Sequence, residues 1–248
     1  MNILVNGICG KMGRTLVQAA QDFDDVTICQ GVDSQPSIDA NANSICAMQA
    51  QPISFFSNIF FAKKCDVVID FSSSQSIKNL LDFCLLHQIP VVIATTGHNQ
   101  FEQNLIVQAS KHIPILKCAN MSLGANALLK CVENAYPLLR KWDVEIVEAH
   151  HAQKKDAPSG TAKMIFEQIL ACKQKLDEPL KNVPIHSLRG GGVLGNHEVV
   201  FFGEHEMLQI KHVVFSRMCF AKGALTAAKF LIDMPAGLYS MEHLLSKH

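Results

Sequence analysis

An apolar run, Ile3-Leu4-Val5, breaks into Gly7-Ile8-Cys9-Gly10-Lys11-Met12-Gly13. Beyond that turn, Leu16, Val17, Ala19 and Ala20 recur at helical spacing. Glycines at three-residue intervals therefore join a strand to a helix. Without Cβ atoms, such a turn lets backbone amides approach a pyrophosphate, and the helix start faces it with unpaired N–H groups. The order is Gly-x-x-Gly-x-x-Gly rather than Gly-x-Gly-x-x-Gly. Glycines also mark plain tight turns, so it is the flanking strand and helix that favour a nucleotide site.

The next strand, Val26 to Val32, ends at Asp33, twenty residues after Gly13. A carboxylate there accepts hydrogen bonds from ribose hydroxyls and repels a 2′-phosphate. Ser34 follows, with no arginine to neutralise such a phosphate, so NADH is favoured over NADPH. A solvated turn aspartate is the plain alternative. Strand and helix then keep alternating. Asp66–Phe71, Val91–Thr95 and Ile113–Lys117 read as strands, and 76–88 and 102–112 as helices. Such alternation with apolar strands predicts a doubly wound parallel sheet covered on both faces. Ligands bind beyond the carboxyl ends of its strands. Those ends carry Gly7 to Gly13, Asp33, Ser72 to Ser74, Ala94 to Gly97 and Cys118 to Met121. The polar, breaker-rich stretch 34–52 reads as a loop with some irregular helix.

The second half changes character. Residues 123–142 have helical spacing, Val144 and Ile146 mark a strand, and 162–175 reads as helix. Strand-like segments follow at 183–188, 197–203 and 208–215, partly alternating, which predicts a sheet with one face buried. Arg189-Gly190-Gly191-Gly192 reads as a flexible or positive-φ loop. A helix over 218–232 and a short apolar end at 241–245 complete the chain. The whole is an α/β protein, with a second, mixed α+β unit smaller than the first.

Composition removes several function classes. The formal net charge is zero and charged residues are 18%, so no global basic field points to nucleic acid. No apolar run reaches the length of a membrane span, and the start at Met1-Asn2-Ile3 does not read as a signal peptide. Nine scattered cysteines, with no Cys-x-x-Cys pair, suggest reduced core thiols in a cytoplasm.

The densest chemistry is Glu148-Ala149-His150-His151-Ala152-Gln153-Lys154-Lys155-Asp156-Ala157-Pro158-Ser159-Gly160-Thr161-Ala162. Ser159 is a plausible helix cap. The amides of Ser159, Gly160 and Thr161 also make an anion site, with Lys154 adding a full charge. His150 and His151 end a strand, where side chains alternate, so their rings face different ways. One can serve as acid or base while the other holds substrate. A zinc site needs ligands from elsewhere, and His186, His197, His205 and His212 lack metal-like spacing. No metal is expected. A functionless pair of histidines is the plain alternative, which the crowding of His, Lys, Asp and Ser-Gly-Thr disfavours.

This stretch resembles the motif of the 4-hydroxy-tetrahydrodipicolinate reductase (dihydrodipicolinate reductase) family. The resemblance extends to Gly7 through Gly13, Val67 to Phe71, Thr95-Thr96-Gly97, Ala119-Asn120 with Ser122 and Gly124, and Ser216-Arg217-Met218 with Phe220-Ala221 and Gly223-Ala224. It implies an NADH- or NADPH-dependent reductase of lysine and diaminopimelate biosynthesis acting on a cyclic dicarboxylate imine. It implies a Rossmann domain (1–121 and 217–248) and a substrate domain (122–216) that builds a homotetramer through its sheet. His150 is then the general acid/base, and Lys154 a proton donor that also meets a carboxylate. His151, Ser159, Gly160 and Thr161 bind substrate. Gly7, Ile8, Cys9, Gly10, Lys11, Met12, Asp33, Ala94, Thr95, Thr96, Cys118, Ala119, Asn120 and Met121 line the dinucleotide. The chain departs from the family pattern at Ala94, where glycine is usual, at Met121, where phenylalanine is common, and at Lys11 for a frequent arginine. The region from Asp33 to Ser54 looks short for the family.

Two other functions compete with that one. A non-catalytic NAD(H)-sensing regulator would keep the glycine turn and Asp33 but has no need of His150, Lys154 and the Ser-Gly-Thr helix start together. An aspartate or semialdehyde dehydrogenase is the rival enzyme, and the semialdehyde type wants an activated cysteine.

Overall fold

The computed structural model describes residues 1–179 and 182–246. In chain order the elements are β1 (Asn2–Asn6), α1 (Lys11–Ala20), β2 (Thr27–Val32), α2 (Gln35–Cys46), β3 (Ser54–Phe56), β4 (Val67–Asp70), α3 (Ile77–His87), β5 (Val91–Ile93), α4 (Gln100–Ala109) and β6 (Pro114–Lys117). Then come α5 (Leu123–Ala135), β7 (Asp143–His150), α6 (Gly160–Lys175), β8 (Ile185–Arg189), β9 (Asn196–Phe202), β10 (Met207–Val213), α7 (Met218–Leu231), β11 (Gly237–Tyr239) and α8 (Met241–Leu245). They fall into two compact units, Met1–Ser122 with Met218–His248, and Leu123–Arg217.

The first unit is a seven-stranded parallel sheet in the order β11-β6-β5-β4-β1-β2-β3. Its central strands are buried on both faces, which is why they read as unbroken apolar runs. On one face, α3 and α4 supply Leu80, Phe83, Cys84 and Ile106 to a core with Leu4, Val68, Val91 and Ile115. Helix α7 packs on α1 and on β4, β5 and β6. Its buried side is made mostly of small residues, Ala221, Gly223, Ala224, Ala227 and Ala228. That allows close approach: a Cβ on Gly223 would stand 1.8 Å from the Met121 carbonyl oxygen.

The stretch 34–52 departs from its sequence reading. It contains a regular helix, α2, with proline in the first turn. Proline suits that position because its missing N–H has no helical partner to lose. Ile38 and Ile45, seven residues apart, are its buried residues; two apolar anchors in a polar helix leave too weak a period to read. Strands β3 and β11 also escaped the sequence analysis, being three residues each at the sheet edges.

The second unit has a four-stranded mixed sheet, β10-β9-β7-β8. Strands β7 and β8 run parallel, and the other pairs antiparallel. Burial alternates along β7, so Val144, Ile146, Glu148 and His150 share the buried face. Helices α5 and α6 cover that face with Leu128, Val132, Ile165 and Ile169. Helix α5 ends at Ala135, short of the predicted Trp142, because Pro137 disfavours helical backbone in the residue before it. The apolar face of β7 thus runs without a break into two titratable side chains, which is where its packing role ends and its chemistry begins.

Candidate active site

Glu148 is fully buried and is held by hydrogen bonds from several neighbours. Arg189, at the end of β8, donates from Nη1 to Oε2 at 2.9 Å and from Nη2 to Oε1 at 2.7 Å. The Ser159 amide donates to Oε1 at 3.3 Å. His150 Nδ1 lies 2.5 Å from Oε2. Strand register produces this grouping, since Arg189 stands opposite His150 and Ser187 opposite Glu148. Burial opposes the charge on Glu148, but hydrogen bonds from Arg189, Ser187 and His150 outweigh it and pull the carboxyl down to about 2.

An ionised Glu148 can only accept, so His150 carries its proton on Nδ1 when neutral. Nε2 is then the nitrogen left for proton exchange. A Cβ on Gly195 would stand 3.2 Å from that atom, so glycine keeps side-chain bulk off it. Burial lowers the His150 pKa and Glu148 works against that shift, while Lys154 and Arg189 add to it. The loop after β8 is pinned to the strand end. Gly190 N donates to the His150 carbonyl at 2.9 Å, and Ala152 N to the Gly191 carbonyl at 3.2 Å. Gly191 alone of its three glycines has positive φ, +53°.

Around this dyad the other residues singled out by sequence take different positions. His150 is buried, whereas His151, one residue past the strand, is half-buried with a buried Nδ1 that has no hydrogen-bond partner among the described residues. Lys154 Nζ pairs with Asp156 Oδ1 at 2.8 Å. Ser159 caps α6 by accepting from Ala162 N at 3.2 Å. Its amide is committed to Glu148, so this residue works inside the protein rather than facing outward. Gly160 is exposed at the helix start, and a Cβ there would meet nothing within 4 Å. An open helix start suits a carboxylate. Sequence reasoning assigned no role to Glu148, Arg189 or His197. The period-two spacing of Glu148 and His150 was the available signal for the first. The other two depend on strand register, which sequence spacing does not give.

In the first unit, the glycine turn has the shape a pyrophosphate needs. Gly7 has φ +85°, and a Cβ on it would strike the Phe71 carbonyl oxygen at 2.6 Å. A Cβ on Gly13 would stand 2.3 Å from the Gly7 oxygen. Gly10 begins α1 with no side-chain cap, so helix amides stay available for an anion. Asp33 braces this turn, since Oδ2 accepts from Cys9 N and Oδ1 from Ser34 N, both at 2.9 Å. A cavity of about 480 Å³ is lined by Gly7, Cys9, Gly10 and Asp33 together with Ser72 and Ser76. These residues fit a dinucleotide.

The remaining cofactor candidates lie elsewhere on the same unit. Ile8 is fully buried against Gly31, so its side chain is core. Lys11 is exposed and Met12 half-buried. Ala94, Thr95 and Thr96 follow β5, before Gly97 at φ +84°. Cys118, Ala119, Asn120 and Met121 follow β6, where Asn120 Oδ1 accepts from Ser122 N at 2.9 Å. Asp70, buried at the end of β4, joins these strand ends: Oδ1 accepts from Asn6 Nδ2 at 2.8 Å and from Ser72 Oγ at 2.5 Å. Its burial raises the carboxyl pKa. Among the described residues, no group of three His, Cys, Asp or Glu is arranged to hold a metal ion.

Comparison with known proteins places the chain in a family. The family described as "Dihydrodipicolinate reductase, N-terminus" matches residues 1–121, and "Dihydrodipicolinate reductase, C-terminus" matches 124–245. A 4-hydroxy-tetrahydrodipicolinate reductase of Clostridium tetani is 37% identical, covering 99% of this chain and 97% of that protein. One from Caldanaerobacter subterraneus subsp. tengcongensis is 40% identical, covering 100% and 99%. The solved structure of a dipicolinate-bound dihydrodipicolinate reductase from Paenisporosarcina sp. TG-14 shares the fold, with a TM-score of 0.79 at 22% identity over 97% of each chain. With both halves matched and relatives aligned end to end, the chain belongs to the dihydrodipicolinate reductase family.

Proposed function

We propose that this chain reduces 4-hydroxy-tetrahydrodipicolinate to tetrahydrodipicolinate in lysine and diaminopimelate biosynthesis, with His150 as its general acid/base. The family supports the reaction, and the Glu148–His150 hydrogen bond carries the residue assignment. Gly7 to Met12, Asp33, Ala94 to Thr96 and Cys118 to Met121 would hold NADH or NADPH, which would supply the hydride when bound. Loss of the 4-hydroxyl as water gives a conjugated imine, and hydride addition to it leaves negative charge on the substrate, which a proton must quench. His150 Nε2 handles that proton, with Nδ1 anchored on Glu148 and Glu148 anchored on Arg189. Lys154, exchanging Asp156 for a substrate carboxylate, holds the molecule and provides a second proton source. His151 and the helix start at Gly160 and Thr161 receive the rest of the dicarboxylate.

Asp33 at the end of β2 supports a preference for NADH, since a 2′-phosphate there meets a carboxylate. Assembly as a homotetramer is supported by Leu188, Phe202 and Met207, exposed on the sheet face opposite α5 and α6. The free cysteines suit the reducing cytoplasm. The regulator alternative gains nothing from a buried proton-handling dyad. The test is NADH oxidation with substrate made in situ from pyruvate and aspartate semialdehyde. Substrate-dependent oxidation is expected, and NADH binding without oxidation would return the regulator.

A further inference from the structure

We propose that His197 is a positioning residue that joins the His150 ring to the start of α6 through the Ser159 hydroxyl, a second buried link between proton donor and carboxylate cradle beside the Ser159 amide's bond to Glu148. This rests on the assignment of His150 as acid/base. His197 is 3% exposed and lies on β9 opposite Glu148, while His212 on β10 lies opposite His197. With Ser187 on β8, these residues form a polar row across all four strands on the helix-covered face. The His197 ring meets the His150 ring edge-on, with centroids 5.2 Å apart. Its Nε2 lies 3.1 Å from Ser159 Oγ.

The hydrogen-bond inventory fixes the direction of that contact. Ser159 Oγ accepts from Ala162 N, and its own proton needs an acceptor in a buried position. If Ser159 donates to Nε2, only an Nδ1–H is left without a partner among the described residues. If Nε2–H donates instead, both the hydroxyl proton and the Nδ1 lone pair are stranded. The first arrangement costs less. It requires a neutral His197. The groups facing it are Glu148 and His150 on β7, His212 on β10, Lys154 beyond the end of β7, and Ser159; burial, then His150, hold its pKa at about 4. A second positive ring beside His150 is thereby excluded, and the proton goes to the ring that has Glu148 as its counterion.

Two substitutions separate the two halves of this role. His197→Phe keeps a ring edge but leaves the Ser159 hydroxyl without an acceptor. It should weaken dipicolinate binding and raise substrate KM by roughly five- to a hundredfold, and Ser159→Ala should add little in that background. His197→Gln keeps an acceptor near Nε2 but removes the ring. It should leave KM within about threefold, lower kcat by roughly tenfold, and raise the His150 titration seen by NMR as its burial is relieved. Dipicolinate affinity and the NMR titration need no turnover, so they decide this proposal even if the assigned reaction fails. Unchanged dipicolinate affinity in His197→Phe, together with an unmoved His150 titration in His197→Gln, would overturn it, even if both variants melt lower.

Discussion

Glu148 and His150 are two residues apart on β7, and one short hydrogen bond joins Oε2 to Nδ1. Because side chains alternate along a strand, that spacing puts both on the buried face. The dyad is therefore built by the same alternation that packs Val144 and Ile146. Its pH behaviour follows from its burial. Glu148 sits at about 2 in the fold against ~4.3 in an unfolded chain. Its contribution is complete above the unfolded value and is lost as pH falls through the folded one. A shift of that size is worth about 3 kcal/mol. Denaturant unfolding should thus show stability falling between about pH 4 and pH 2, with a shallower fall in Glu148→Gln. Parallel curves for the two proteins would remove Glu148 from this account.

Lys154→Ala should raise KM and lower kcat together, because Lys154 is assigned both a carboxylate and a proton. Steady-state kinetics decide it. An unchanged KM argues against the carboxylate contact.

Gly13→Ala should abolish cofactor binding, since the added Cβ would meet the Gly7 carbonyl oxygen at 2.3 Å and push the turn open. Fluorescence titration with NADH reads this directly. Wild-type affinity would mean that the turn is not the pyrophosphate site.

Asp33→Ala should narrow the preference for NADH over NADPH, measured as the ratio of kcat/KM values. It should also loosen the turn, because the Cys9 amide loses its acceptor. A clear NADPH preference in the wild type would reverse the assignment of Asp33.

The sequence made some of these features readable and hid others, for physical reasons. Strands such as β4 announce themselves because burial on both faces demands an unbroken apolar run. The glycine turn is equally visible, because only glycine fits where a Cβ would strike backbone. Helix α2 was hidden because it buries only two isoleucines. His150 and Lys154 stand out by local crowding. Arg189 and His197 reach Glu148 and His150 through the pairing of β8 and β9 with β7, a relationship between residues far apart in the chain that no local pattern encodes. Its place at a helix start marks Ser159 as a substrate ligand in the sequence, yet its amide and hydroxyl point to Glu148 and His197.

The most direct test of the acid/base assignment is the kinetics of His150→Gln in the substrate-coupled NADH oxidation assay. A kcat lower by roughly 10²–10⁴ is expected, with a smaller change in KM. Wild-type turnover in that variant would contradict it.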